Sequence, residues 1–321
     1  MSSNFKFLQE GTFAMLDLWM YNFSRNMQDI IKADSVRMLN PLLNSSNITN
    51  HNPKGTAIVI GAGPSVTEKN HLEMLIDSKY QGAIICTDKM LVKCLKNGIT
   101  PDRFKEFFVI SIDPYLDTEL FYKDPIIKEF NGKINAIMST CVSPSVIENC
   151  KYNETPVYWF HPLIDDFRKP NSINKIMNIM AKGDKNPKGL PGLQTGGNVG
   201  TTGWVFSWTI LGKAATSLIG MNLGYNENDK IEETQHFKEL LKITDNDVEA
   251  SKKHYRIIEN KELNCKVLID PVFDFYREAF CDLVTRTPKW VKTINSTEGG
   301  SIFGENIELM KFKQFLNRFS K

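Results

Sequence analysis

The chain has 321 residues, of which 41% are hydrophobic and 24% are charged. This composition is typical of a soluble globular enzyme or binding protein, and it excludes a disordered, collagen-like or small disulfide-rich chain. Its 39 Lys and Arg against 37 Asp and Glu give a formal net charge of +2, which excludes nucleic-acid binding through an overall basic surface. Any anion site must therefore be local.

The cysteines and the apolar segments predict the compartment of the protein and whether it spans a membrane. The six cysteines form no C-x-x-C pair, which argues against a structural zinc site and favours a reduced, cytoplasmic protein. The N-terminus lacks the basic start of a secretory signal. No apolar stretch approaches the roughly 20 residues of a membrane helix, so we expect no transmembrane segment.

In chain order, the apolar spacing of residues 5–43 predicts one or two amphipathic helices, and the turn residues of 44–55 predict a linker. Short apolar runs then alternate with helical stretches. They lie at 56–60, 83–87, 107–112, 135–139, 156–160 and 217–221, with a buried helix at 199–212 before the last of them. This rhythm predicts an α/β fold with a mostly parallel sheet and helices on both faces.

The predicted organisation has three parts. Residues 1–53 are an N-terminal helical segment, 54–226 are the core, and 227–321 are a mainly helical extension that packs on it. Within the extension, helices are expected at 271–283 and at about 305–319.

A glycine turn follows the first predicted strand. Backbone N–H groups of such a turn, at the start of a helix, can approach an anion closely. The candidate nucleotide-binding residues are Gly61, Gly63, Pro64 and Ser65. Val66 stands where a dinucleotide fingerprint has its third glycine, and no Gly-Lys-Ser/Thr follows, so neither standard motif is satisfied. A purely structural turn is the alternative.

A second glycine turn opens the helix at 199–212. Its small and hydroxylated residues fit a second contact to an anion or a ribose, with Asn198 as the helix N-cap. The candidates are Gly196, Gly197, Asn198, Gly200 and Thr201. The alternative is a flexible loop and a close-packed helix, and the polar segment 182–195 before it has the composition of a mobile lid.

Carboxylates and histidines follow other predicted strands. Asp88 and Asp113 end neighbouring strands, where they could hold a ribose, a base edge or Mg²⁺, or act as ordinary turn residues. His161 follows another strand, and His236 lies beyond Tyr225. Each histidine is a candidate general acid or base, with a structural histidine as the alternative.

As a set, residues 57–66, 86–102, 110–114 and 196–225 resemble the MptE-like family. That family groups archaeal 6-hydroxymethylpterin diphosphokinases with the motility-associated factor (Maf) glycosyltransferases, which look related to bacterial sialyltransferases. The resemblance implies a Rossmann-like core over 54–226 that binds a nucleotide-activated donor, with no tightly bound cofactor. It implies transfer from that donor to an acceptor.

The flanking segments look more like the Maf group. The run 294–304 resembles its Thr-Glu-Gly-Gly segment, which implies that substrate is bound by Asn222, Tyr225, Thr297, Glu298, Gly299 and Gly300. We therefore expect a sugar, for example a sialic-type sugar from a CMP donor, to move to a protein or glycan. His161, His236 and Asp113 are the candidate catalytic residues. Asn222 departs from the family's usual Asp, and an amide cannot ionise.

Two other functions stay open. The first is a 6-hydroxymethylpterin diphosphokinase, in which Asp88 and Asp113 hold Mg²⁺ on ATP and a pterin is the acceptor. The second is a nucleotide-binding protein without catalysis. Neither the oligomeric state nor the identity of donor and acceptor follows from the sequence.

Overall fold

A computed structural model describes residues 3–40 and 55–320 of the chain. The linker predicted over 44–55 falls outside the described residues, except for Gly55. The strands are β1 Thr56–Ile60, β2 Ala83–Thr87, β3 Phe107–Ser111, β4 Asn135–Ser139, β5 Val157–Pro162, β6 Gly192–Leu193, β7 Ala215–Ile219, β8 Tyr225–Asn226, β9 Arg256–Asn260, β10 Cys265–Ile269, β11 Lys292–Asn295 and β12 Ile307–Leu309. The α-helices are α1 Ser3–Lys32, α2 Ser65–Glu68, α3 His71–Asp77, α4 Asp88–Lys96, α5 Pro144–Tyr152, α6 Ile173–Met180, α7 Val199–Thr209, α8 Phe237–Ile243, α9 Val248–Lys252, α10 Pro271–Thr285 and α11 Phe312–Phe319. Short 3₁₀ helices lie at Val36–Leu39, Leu116–Tyr122, Pro125–Phe130 and Ile231–Glu233.

Nine strands form one parallel sheet in the order β12-β11-β7-β1-β2-β3-β4-β5-β6. The central strands are continuous apolar runs, and Ile58, Ile84 and Val109 are fully buried. A strand whose side chains are buried on both faces of the sheet must be covered on both faces. Two apolar clusters, one on each side of the sheet, provide this cover. The Rossmann-like α/β prediction is confirmed.

The direction of winding reverses at β1. From β1 the chain runs outward through β2 to β6, and it then returns to β7 on the other side of β1. The carboxyl ends of all nine strands lie at one edge, and the ligands of open α/β sheets bind where two neighbouring connections leave in opposite directions. We call the place between the ends of β1 and β7 the switch crevice.

The C-terminal region contains more sheet than the sequence predicts. Beside its helices, β11 and β12 extend the main sheet next to β7, and β8, β10 and β9 form a small antiparallel sheet. The helix predicted at 271–283 is present as α10. The helix predicted from about 305 begins only at Phe312, because Ile307–Leu309 pairs with β11 as an edge strand. The prediction for 305–311 was wrong.

Helix α1 lies against the carboxyl edge of the sheet. The buried side chain of Asn26 donates to the carbonyls of Thr140 and Val142, which follow β4. The segment 182–195 is held at both ends: Asn186 donates to the Ala33 carbonyl at 3.0 Å, and Gly192–Leu193 pairs with β5. In the part of the chain that the structure describes, no helix has the length and apolarity to cross a bilayer.

Candidate functional site

The glycine turn after β1 is packed directly on the chain that leaves β7. The Gly61 amide donates to the Ile219 carbonyl at 2.9 Å, and the Gly63 amide donates to the Gly220 carbonyl at 2.8 Å. A Cβ at Gly63 would lie 2.6 Å from the Gly220 carbonyl oxygen, so no side chain fits there. The close packing of these two loops thus explains why residues 61 and 63 are glycines. The backbone amides of Gly61 and Gly63, which the sequence predicts to contact a phosphate, already donate to carbonyls of the protein.

Ser65 and Asn222 close the floor of the switch crevice. The buried Ser65 hydroxyl donates to Oδ1 of Asn222 at 2.8 Å. Pro64 precedes Ser65 as the N-cap of α2, which is only four residues long. Because Oδ1 of Asn222 accepts from Ser65, the two N–H donors of the Asn222 side chain point away from Ser65. They can donate to a ligand in the switch crevice.

The second glycine turn has the predicted N-cap. Oδ1 of Asn198 accepts from the Thr201 amide at 2.8 Å, and its Nδ2 donates to Oγ1 of Thr201 at 2.9 Å. Gly196 and Gly197 both have a positive φ, and a Cβ at Gly197 would collide with the ring of Tyr276 on α10. Gly200 packs on Met221, next to Asn222. The fold therefore brings the two glycine turns together at Met221–Asn222.

Asp88 starts α4 at the end of β2 and is buried. Oδ1 accepts from the Lys89 amide at 2.7 Å, and Oδ2 accepts from the Ser111 hydroxyl at 2.6 Å. The Ser111 hydroxyl also lies 2.8 Å from the hydroxyl of buried Tyr122. Burial, together with the charge of Asp113, raises the pKa of Asp88 to about 7. The charge of Asp113, at the end of the neighbouring strand, therefore reaches Asp88.

Asp113 belongs to a second group of side chains on the same edge. Burial, and then the charge of Asp117, raises the pKa of Asp113. Burial and the charges of Asp113 and Glu239 raise the pKa of Tyr115. Burial and Asp113 also raise the pKa of Tyr276. Since Glu239 lies on α8 and Tyr276 on α10, the loop after β3 faces the C-terminal region across the site.

Tyr225, His236 and Asp270 form a hydrogen-bonded group, here called the Asp270 cluster. Oδ2 of Asp270 accepts from the Tyr225 hydroxyl at 2.6 Å and lies 2.8 Å from Nδ1 of His236. Oδ1 accepts from the amides of Val272 and Phe273 and caps α10. Burial alone would raise the pKa of Asp270, but the hydrogen bonds from His236 and Tyr225 outweigh it and the pKa is lowered.

Aromatic contacts link the Asp270 cluster to the second glycine turn. The Phe273 ring lies 4.7 Å from that of His236 and 6.3 Å from that of Tyr276, which contacts Gly197. Sequence reasoning found Tyr225 and His236 but missed Asp270. The Asp-Pro start of a predicted helix marks Asp270 as a cap, but nothing local marks its partner in the chain.

His161 lies apart from this group. It is the second-last residue of β5, which is four strands from β1, so a spacing of about 4.8 Å per strand puts the strand ends about 19 Å apart. Nδ1 lies 3.2 Å from the Thr140 hydroxyl, and Nε2 is buried without a partner among the described residues. Burial lowers the pKa of His161 to about 4. The structure does not bring His161 together with His236 or the glycine turns.

The segment Thr297–Gly300 packs against Met221 and Asn222, beside the switch crevice. The Thr297 hydroxyl accepts from the Met221 amide at 3.3 Å, and Glu298 accepts from the Phe312 amide at 3.0 Å, which caps α11. Gly300 packs on the Asn222 backbone, whereas a Cβ at Gly299 would meet nothing within 4 Å. Three of these four residues thus have contacts inside the protein, and Gly299 alone borders open space.

Asp88 and Asp113 fit a divalent cation by their chemistry. Carboxylate oxygens are the ligands that Mg²⁺ prefers, and a cation would favour the ionised form of Asp88, whose pKa is raised by burial and then by the charge of Asp113. Within residues 3–40 and 55–320, however, no group of three or more His, Cys, Asp or Glu is arranged as a metal site. Any Mg²⁺ held here would therefore take its other ligands from water and phosphate.

A family model described as 6-hydroxymethylpterin diphosphokinase MptE-like matches residues 21–228, roughly two thirds of the chain. The chain belongs to the MptE-like family. A search of curated proteins gives no match. The fold is similar to the solved structure of a Maf glycosyltransferase from Magnetospirillum magneticum AMB-1, with a TM-score of 0.55 and 17% identity. The likeness covers 83% of this chain but 37% of that protein.

The family model covers only part of the candidate site of this MptE-like protein. Both glycine turns, Asp88, Asp113 and Asn222 lie within the matched residues, as does the second half of α1. His236, Asp270 and Thr297–Gly300 lie beyond residue 228. The description of the family model names a diphosphokinase and the solved structure is of a glycosyltransferase, and both words denote group-transfer enzymes.

Proposed function

We propose that this MptE-like protein is a glycosyltransferase that moves a sugar from a nucleotide donor to an acceptor hydroxyl. The observation that carries the proposal is the Asp270 cluster, in which a buried carboxylate orients His236. An aspartate that accepts from one imidazole nitrogen makes the other nitrogen a competent base. The diphosphokinase function does not require residues beyond the core, whereas the base comes from the C-terminal region.

The proposed reaction uses the Asp270 cluster as follows. With its proton on Nδ1, His236 takes the acceptor's hydroxyl proton at Nε2, where the Gln235 amide nitrogen now lies at 3.0 Å. The freed oxygen attacks the anomeric carbon as the bond to the donor phosphate breaks. Asp270 stabilises the imidazolium that forms. The positive end of α7, behind Gly197 and Asn198, stabilises the charge on the departing nucleotide.

The donor and its contacts are part of the proposal. The nucleotide lies in the switch crevice between the two glycine turns, with the Asn222 amide as a donor to its phosphate or sugar. CMP-activated sialic-type sugars are the first donors to test, and a protein or glycan in the cytoplasm is the acceptor. No tightly bound cofactor is needed.

The Asp88–Asp113 pair favours a second candidate, pterin diphosphokinase. Asp88 and Asp113 would hold Mg²⁺, which would supply positive charge against the negative charge that develops on the phosphates of ATP. Asp88 and Asp113 would then orient the nucleotide, and the pterin hydroxymethyl group would take the diphosphate. This candidate predicts AMP as a product and an absolute requirement for Mg²⁺.

The test is turnover of a donor panel of CMP-, UDP- and GDP-sugars and ATP, with and without Mg²⁺. We expect release of the free nucleotide from one sugar donor and no AMP from ATP. His236→Asn should lower kcat by about 10²- to 10⁴-fold. The matched control is His254→Asn, the same change at a histidine outside the Asp270 cluster.

Two results would decide against glycosyl transfer. AMP formed from ATP with Mg²⁺ would establish the diphosphokinase. Nucleotide-dependent stabilisation against heat, without turnover of any donor, would establish a binding protein. Unchanged kcat in His236→Asn would remove His236 from the mechanism, because a structural histidine alone would alter stability and not the rate.

A further inference from the structure

Helix α6 exposes large apolar side chains on one face. Ile176, Ile179 and Met180 are 54%, 65% and 51% exposed. Their spacing of three and four residues puts them side by side. The opposite face is buried through Asn174 and Met177. Phe167, 44% exposed, continues the surface near the start of the helix, where Lys175 Nζ lies 5.9 Å from its ring centre. We call Phe167, Ile176, Ile179 and Met180 the α6 face.

Basic residues surround the α6 face. Residues 165–188 contain six Lys and Arg and three acids, Asp165, Asp166 and Asp184, a net charge of +3 in a chain whose total is +2. The six are Arg168, Lys169, Lys175, Lys182, Lys185 and Lys188. Arg168 pairs with Asp166 and Lys185 with Asp34. Among the described residues, Lys169, Lys182 and Lys188 form no ion pair, so their charge faces solvent.

The α6 face is held rigidly. Asn174 donates to the Pro162 carbonyl at the end of β5 at 2.8 Å, and the Ser172 hydroxyl caps the helix while it donates to Asp165. The following turn is fixed to α1 through Asn186 and Ala33. An apolar surface fixed in this way loses little conformational entropy when it binds.

We propose that the α6 face docks on an anionic lipid bilayer. Apolar side chains on one face of a helix enter the boundary between headgroups and acyl chains, while flanking lysines stay at the lipid phosphates. Lys169, Lys182 and Lys188, which form no ion pair among the described residues, decide between occupants. In a symmetric dimer through this face the two basic rims would meet each other, whereas an anionic membrane complements them.

The location of the α6 face suits such docking. It adjoins β5 and β6, at the far end of the sheet from the switch crevice. A protein bound through α6 would therefore keep the crevice and the Asp270 cluster open to donor and acceptor. The α6 face is separate from the proposed site, and its docking on a bilayer does not depend on the reaction catalysed there.

The experiment is sedimentation of the full chain with vesicles of 70% phosphatidylcholine and 30% phosphatidylglycerol, against vesicles of phosphatidylcholine alone. We expect binding to the anionic vesicles that 0.5 M salt (about a 4 Å Debye length) weakens. Lys182→Glu with Lys188→Glu should lower the partition coefficient about tenfold or more. Ile176→Asp with Ile179→Asp should abolish binding.

Ile243→Asp is the matched control, since Ile243 is 51% exposed on α8 and outside the α6 face. It should bind as the native chain does, and thermal melts should show all variants folded. The proposal is overturned if the native chain ignores anionic vesicles, or if it binds both vesicle types equally. It is also overturned if the chain self-associates without lipid and Ile176→Asp with Ile179→Asp makes it monomeric.

Discussion

The Ser65 hydroxyl donates to the Asn222 side-chain oxygen at 2.8 Å, across 157 residues of sequence. This bond joins the first turn of the core to the end of its last central strand, at the place where the winding of the sheet reverses. The floor of the switch crevice is thus built from contacts within the protein. Substitutions there alter the fold of the crevice as well as any ligand contact, and the first prediction separates the two.

Gly63→Ala should destabilise the protein by about 1–3 kcal/mol, because the added methyl must displace the Gly220 carbonyl or the Asn222 side chain. Gly299→Ala is the matched control: its methyl meets nothing within 4 Å, so the change should stay within about 0.5 kcal/mol. Urea unfolding of both variants measures the difference. Equal stability of the two would contradict the packing described. Lost activity in a Gly63 variant would therefore not by itself identify a phosphate contact.

The buried carboxyl of Asp88 should make stability depend on pH. Its pKa is about 7 in the fold and about 4 when unfolded, so the folded state favours the protonated form. Stability is therefore lost as the pH rises from about 4 towards 7, by up to about 4 kcal/mol. Asp88→Asn removes this dependence, so the variant should gain on the native protein between pH 5 and pH 8.

Urea unfolding of the native protein and Asp88→Asn at pH 5, 6.5 and 8 measures this gain. Millimolar Mg²⁺ should reduce it if Asp88 and Asp113 hold the cation, because a bound cation favours the ionised carboxylate. A constant difference between the two proteins across the range would mean that Asp88 titrates normally. Asp113→Asn should lower the pKa of Asp88, since the Asp113 charge helps to raise it.

His161 should have the opposite pH effect. Burial lowers its pKa to about 4, against 6.5 in an exposed histidine, so protonation favours the unfolded chain. The stability due to the neutral ring is lost as the pH falls from about 6.5 to 4, by about 3 kcal/mol. His161→Asn keeps a polar atom near Thr140 without the titration. Its free energy of unfolding should fall less steeply than that of the native protein below pH 6.5, and parallel curves would refute this.

The central strands were predictable because burial on both faces requires continuous apolar runs, and Thr56–Ile60 and Ala83–Thr87 have them. Strand β11 has the sequence KTIN, which carries one apolar residue. It is buried because the Thr293 hydroxyl accepts from the Trp204 indole and Asn295 donates to the Ile302 carbonyl. Such partners depend on the tertiary fold, and no local pattern reveals them.

The same distinction holds for the candidate site, where local sequence predicts some residues and only the tertiary fold reveals others. The residue types at strand ends predict Asp88 and Asp113 at one edge, because parallel strands end together. The Asp270 cluster needs a contact between α8 and the start of α10, which periodicity does not encode. Likewise, a Gly-x-Gly turn indicates close backbone approach, but whether to a phosphate or to Gly220 is decided only by the packing of β7.

Asn22 on α1 should position the loop that carries Asp113. Its buried amide donates to the Pro114 carbonyl at 2.9 Å and to the Cys141 carbonyl at 3.1 Å. Asn22→Leu leaves both carbonyls without this donor, which should destabilise the protein by about 1–3 kcal/mol. If Asp113 orients ATP, as the diphosphokinase candidate requires, Asn22→Leu should also raise KM for ATP more than it lowers kcat. Ser24→Ala, an exposed change on the same helix, should alter neither. If Asn22→Leu loses stability with native KM, α1 supports the fold without positioning Asp113.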